Sequence, residues 1–209
     1  MKGLVLVMEN KKKFKISYNS PVVLTFALIS LIALLVGYLT GGTSTKLLFM
    51  TYRSSLLNPL TYIRLFTHAI GHADISHYVG NFMYILLVGP MLEEKYGSSR
   101  MLIMMLFTAG ITGIFNAILF PNVALYGASG IVFMMILLSS FANSKENEGI
   151  PLTMILVAII YLGNQVIQGI FVEDNISQFG HLVGGVCGAI FGYIFRPKSL
   201  KNSSSSYNY

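Results

Sequence analysis

The chain has 209 residues, of which 54% are hydrophobic and only 11% charged, and its mean hydropathy is +0.67. A soluble domain carries about 25% charged residues, so these figures exclude an ordinary water-soluble protein and point to a membrane one. The net charge of +6 does not argue for nucleic acid, because the cations flank the apolar runs: Lys11, Lys12, Lys13 and Lys15 precede the first, and Arg196, Lys198 and Lys201 follow the last.

Residues 1–20 form a basic segment, expected on the cytoplasmic side. The run after Pro21 is too long for a signal peptide and lacks an A-x-A cleavage site, so Val22–Leu39 is expected to be a permanent first span. A long mixed connection, from Gly41 to about Ser76, carries Lys46, Arg53, Arg64 and the histidines His68 and His72. His77–Leu92 is the second span, stopped by Glu93, Glu94 and Lys95. No charge occurs from Met101 to Ser144, which leaves room for a third span, Met101–Phe120, ended by Pro121, and a fourth, Ser129–Phe141. Ile150–Ile170 is the fifth and Gln178–Phe195 the sixth. The tail 197–209 is polar and serine-rich and is expected to be disordered. Cys187, the single cysteine, excludes an internal disulfide and reads as a packing residue.

Six spans place both termini on one side. With the N-terminus inside, Lys2, Lys11, Lys12, Lys13, Lys15, Lys95, Arg100, Lys145, Arg196, Lys198 and Lys201 are cytoplasmic, and only Lys46, Arg53 and Arg64 lie outside. The fourth span is short: Ser129–Phe141 rises about 20 Å, against a hydrocarbon core of about 30 Å. Its start is therefore expected inside the membrane, at the floor of a wet pocket open to the outer face, since irregular backbone at that depth must line water or protein.

Within that frame a few residues can carry chemistry. Ser129 sits in "GASG", between Ala128 and Gly130. His181 is the only His, Asp, Glu, Lys or Arg between Asn175 and Phe195, and ionisable groups at such depth are by default functional. Gly180, Gly184, Gly188 and Gly192 recur every fourth residue, a small-residue stripe that lets another helix approach closely. Close approach is what a serine and a histidine with short side chains need to share a proton. No carboxylate in the apolar segments completes a triad, so a two-residue Ser129–His181 arrangement is expected. The GxSxG elbow of soluble esterases is absent, because Ile131 stands where its last glycine would be. His77 and Asn81 share a helix face and, with the Ser129 backbone N–H, could donate to an oxyanion.

Together, "HADISHYVGN" (His72, His77, Asn81), "GASG" around Ser129 and "GHLVGG" around His181 resemble the three motifs of the rhomboid intramembrane serine proteases, in order and on spans two, four and six. The resemblance covers about residues 22–196. It implies an all-α polytopic six-helix bundle with a short fourth helix, a catalytic core over residues 21–196, and a prokaryotic plasma membrane. It implies Ser129 as nucleophile, His181 as base, and His77, Asn81 and the Ser129 amide as oxyanion donors. Gly127 would admit substrate backbone, Phe133 would stack behind His181 where a tyrosine is common, and Arg64 and Glu93 would brace the first loop and the end of the second span. Transmembrane protein substrates would enter sideways near spans two and five, under a cap of about Phe171–Ser177. No cofactor, metal or nucleic acid is implied, and no accessory domain is expected. Ile63–Arg64 replaces the family's frequent Trp-Arg, and Gly180 replaces a common alanine. Three rivals remain. A transporter predicts midplane charges and a repeat that are not seen. A zinc site on His68, His72 and His77 lacks a completing ligand. A catalytically inactive relative that binds membrane proteins in quality control should have lost Ser129 or His181.

Overall fold

The computed structural model describes residues 16–142, 144, 149–164, 166–167 and 178–196. The basic segment up to residue 15, the expected cap at 171–177 and the tail 197–209 lie outside the described residues. Every regular element among the described residues is a helix; turns and loops join them, and one backbone bridge links Thr51 and Leu125.

The first helix, α1, is Pro21–Leu39. Proline suits its first position, where its fixed φ is helical and its missing N–H has no partner to lose. The next two amides, of Val22 and Val23, donate to the two carboxylate oxygens of Glu93 at 3.0 and 2.9 Å, and the Ser98 hydroxyl donates to the same group at 2.7 Å. Glu93 is 3% exposed. Its charge is held by orphan amides at a helix N-terminus, where an anion is favoured. One side chain thus ties the start of α1 to its own helix and to the helix after it.

The long first connection contains two short helices that the apolar pattern does not announce, α2 (Thr43–Leu48) and α3 (Pro59–Thr67). Asn58 caps α3 by accepting from Leu60 N–H at 3.0 Å. From α3, the Arg64 Nε–H donates to Leu47 O at 2.8 Å, and its guanidinium lies 4.8 Å from the Tyr52 ring centre. That contact locks the connection onto itself.

Helix α4 is Ile75–Tyr96, longer at both ends than the expected second span. Asp74 caps its start by accepting from His77 N–H at 2.8 Å. Glu93, Glu94 and Lys95 do not stop it, because they are good helix formers and Glu93 turns inward. Gly97 stops it, at φ +83°, and α5 (Ser98–Leu119) begins at once. Helix α6 is Ser129–Ser139 and α8 is Gln178–Ile194. Between them α7 is Leu152–Leu162, with Ala158–Leu162 wound as a π-helix.

Helices α1, α4 and α5 are long and apolar enough to cross a membrane; α6, α7 and α8 are apolar but shorter. The surface is inverted relative to a soluble protein. Leu39, Leu87 and Ile118 are 87%, 75% and 65% exposed, while Ser30, Thr108, Thr112 and Asn116 are buried. Such a surface suits hydrocarbon, and two of the interior hydroxyls close on backbone: Thr108 and Thr112 donate to Met104 O and Thr108 O, both at 2.8 Å.

Helices α6 and α8 approach most closely. A Cβ on Gly184 would stand 2.1 Å from Gly130 O, and one on Gly188 would stand 2.1 Å from Met134 O. A Cβ on Gly192 would stand 2.2 Å from the Phe141 ring. The stripe on α8 therefore lies on the backbone of α6, which sets the Ser129 and His181 helices against each other.

Candidate functional site

Ser129 is the first residue of α6, and His181 lies in the first turn of α8. The close packing brings Ser129 Oγ and His181 Nε2 to 2.8 Å. If the ring is neutral with its proton on Nδ1, the hydroxyl donates to Nε2, the direction an attacking serine needs. Phe133, one turn along α6, stacks on the His181 ring with centroids 4.6 Å apart and planes 7° from parallel. Tyr161 of α7 meets Phe133 edge-on at 6.3 Å.

The segment entering α6 is pinned from the first connection. Thr51 and Leu125 exchange backbone hydrogen bonds at 2.9 Å each, and Gly127 N–H donates to His68 O at 2.9 Å. Asn116 donates from its amide to Val123 O at 2.8 Å. The family resemblance implies Gly127 as a place for substrate backbone. In the structure a Cβ there would stand 2.7 Å from His77 Cε1 and 2.8 Å from His77 Nε2, and its φ is +121°. Glycine is thus required by its own conformation and by the His77 ring, which sits over the turn leading to Ser129.

Asn81 lies one turn beyond His77 on α4 and is 7% exposed. Its Nδ2 is 3.1 Å from His72 Nε2, while His72 Nδ1 is 3.0 Å from Ile70 O. A carbonyl only accepts, so His72 Nδ1 carries the proton and Nε2 accepts from Asn81. This fixes which way the Asn81 amide faces and leaves its second N–H for the site. Burial pulls the His72 pKa down to about 4, aided by the neighbouring His77 and opposed by the Ile70 bond and Asp74. His68 also falls to about 4 through burial, opposed by its bond to Ala109 O at 3.0 Å. Both rings are neutral at pH 7.

A cavity of about 600 Å³ joins these groups; Ser129, His181, His77, Asn81, Phe133 and Asp74 are among its lining. Asp74 was not singled out from the sequence, although an Asp three residues before a helical histidine is a cap signal that could have found it. Arg64 and Glu93 do not line the cavity; their contacts are those described with the fold. Gly130, in the first turn of α6, faces α5 and α8, where a Cβ would be 3.3 Å from Thr112 Cγ2 and 3.5 Å from Gly180 O. Among the described residues no three His, Cys, Asp or Glu side chains converge on a point that a metal could occupy.

The family model for the Rhomboid domain matches residues 59–198. The chain is 32% identical over 200 residues to the rhomboid protease GluP of Bacillus subtilis, an alignment covering 90% of this chain and 38% of that protein. It is 29% identical over 148 residues to the rhomboid protease GlpG of Haemophilus influenzae, covering 67% of this chain and 72% of that protein. It is also 30% identical over 142 residues to the inactive rhomboid-related protein 2 of Caenorhabditis elegans, covering 63% and 40% respectively. The chain thus spans less than half the length of the first and third of these relatives.

Proposed function

Since the chain belongs to the rhomboid family, an integral membrane family, we propose that it is an intramembrane serine endopeptidase that cuts membrane-protein substrates in or near their transmembrane segments. The observation that carries this reading is the 2.8 Å contact between Ser129 Oγ and His181 Nε2 at the edge of a cavity. In the proposed reaction Ser129 Oγ attacks the scissile carbonyl as His181 Nε2 takes its proton. The C–N bond breaks as His181 returns that proton to the leaving amine, and water then releases the acyl group by the same route. Charge on the tetrahedral oxygen would be met by the His77 ring, the Asn81 amide and the Ser129 N–H, which precedes the hydrogen-bond ladder of α6. A lost donor of this type costs about 3–4 kcal/mol.

The proposed topology has six spans, both termini in the cytoplasm, and the cavity opening to the outer face of a prokaryotic plasma membrane. The fourth span begins inside the bilayer at Ser129. Substrate enters from the side of α4 and α7; the cap expected at 171–177 lies outside the described residues. The catalytic unit is residues 21–196.

The similarity to an inactive rhomboid-related protein favours a second reading, a binding role without cleavage. Purified protein in detergent, incubated with a single-span substrate, separates the two. Cleavage abolished by Ser129→Ala and by His181→Ala supports the peptidase. No cleavage by the wild type, or cleavage that survives Ser129→Ala, overturns it.

A further inference from the structure

Asp74 is an anion at the wall of the candidate active site. Its Oδ1 accepts from His77 N–H at 2.8 Å, which anchors the carboxylate at the start of α4. The residue is exposed, so the carboxylate can meet an incoming group. Among the described residues lining the cavity of Ser129 and His181, Asp74 is the only one with a formal charge at neutral pH when histidine is neutral. The positive end of α4 offsets about half a charge, which leaves the rim negative. A polypeptide laid over Ser129 toward α4 must present side chains to that rim.

Resting on the peptidase reading, we propose that Asp74 is a specificity determinant that favours a cationic substrate side chain, lysine or arginine, near the scissile bond and disfavours an acidic one. Capping alone is the competing role, and the two separate cleanly. Asparagine caps a helix as well as aspartate does, so Asp74→Asn keeps the cap and removes the charge.

The test uses the full-length protein in detergent micelles. Its probes are single-span substrates identical except for Lys, Gln or Glu at each of the three positions on either side of the cut. Unit charges about 6 Å apart in a partly wet site give a preference of at least about threefold for Lys over Gln. At one or more positions the wild type is expected to show that ratio in kcat/KM, and about tenfold for Lys over Glu. In Asp74→Asn both ratios should fall to near one, and in the wild type both should shrink as salt rises. Ratios between substrates cancel any effect of the substitution on His77 or on folding. Asp74→Ser, another good cap, serves if the asparagine variant does not fold. Equal rates for all three substrates at every position, or a preference that survives both substitutions, overturns the inference and leaves the peptidase reading standing. No cleavage of any substrate overturns both.

Discussion

Gly127 carries two separate penalties against a side chain. Its φ of +121° is a conformation L-residues avoid, and a Cβ would strike the His77 ring at 2.7 Å. Gly127→Ala should therefore cost about 1–3 kcal/mol, seen as a lower midpoint of thermal unfolding. Activity should fall further than stability, since the displaced ring is a proposed oxyanion donor; full activity would remove His77 from that role. His72 acts at one remove. Its Nε2 accepts from Asn81, so His72→Ala leaves that amide free to turn. The expected result is a fall in kcat of about tenfold with little change in KM, because a misaimed donor weakens transition-state binding only. An equal loss in both constants would point to general loosening instead. The motif shows that His72, His77 and Asn81 belong together, because their spacing is local. It does not show that His72 holds Asn81, because the choice of ring nitrogen depends on Ile70 O, a backbone group outside any side-chain pattern.

The pairing of α6 with α8 shows how one element positions another. The four-residue glycine period on α8 was readable, because helical spacing is a property of the segment itself. The helix it faces was an inference from chemistry, and the two helices in the first connection were not readable, because they are too short to show a period. On this interface Gly184→Ala would place a carbon 2.1 Å from Gly130 O. The helices must then part by on the order of 1 Å, and a shift of that size between reacting groups can cost about 100-fold in rate. Gly184→Ala should lower kcat at least tenfold even where the protein still folds. Gly80→Ala is the contrasting variant. It lies in the interior of α4 with nothing within 4 Å of the added carbon, so it should stabilise by about 0.5–1 kcal/mol. Unfolding midpoints and single-turnover rates of the two variants would check both statements. An unchanged kcat in Gly184→Ala would mean that the serine–histidine distance is not set by this contact.

At the scale of the whole molecule, the first connection is the part that residue patterns describe least and that most links depend on. Its partners are distant in sequence, so no local period reports them. The His68 ring reaches Ala109 O on α5, its carbonyl holds Gly127, and His72 holds Asn81 on α4. Both histidines are 2–3% exposed, with pKa values pulled down to about 4 by burial. In the unfolded chain each would titrate near 6.5. Between pH 6.5 and about 4 the unfolded state therefore binds protons that the folded state refuses, and stability must fall as the pH falls through that window. Above pH 6.5 neither state is protonated and the loss is absent; below about 4 both are, and it stops growing. A shift of this size corresponds to on the order of 3 kcal/mol per histidine, large against a typical stability of 5–15 kcal/mol. Acid should thus release α5, α4 and the segment before Ser129 together. Thermal unfolding in detergent from pH 7.5 to 4.5 would show this as a falling midpoint. The slope should be shallower in His68→Gln and shallowest when His72→Asn is added. An unchanged slope in the double variant would assign acid sensitivity to other groups.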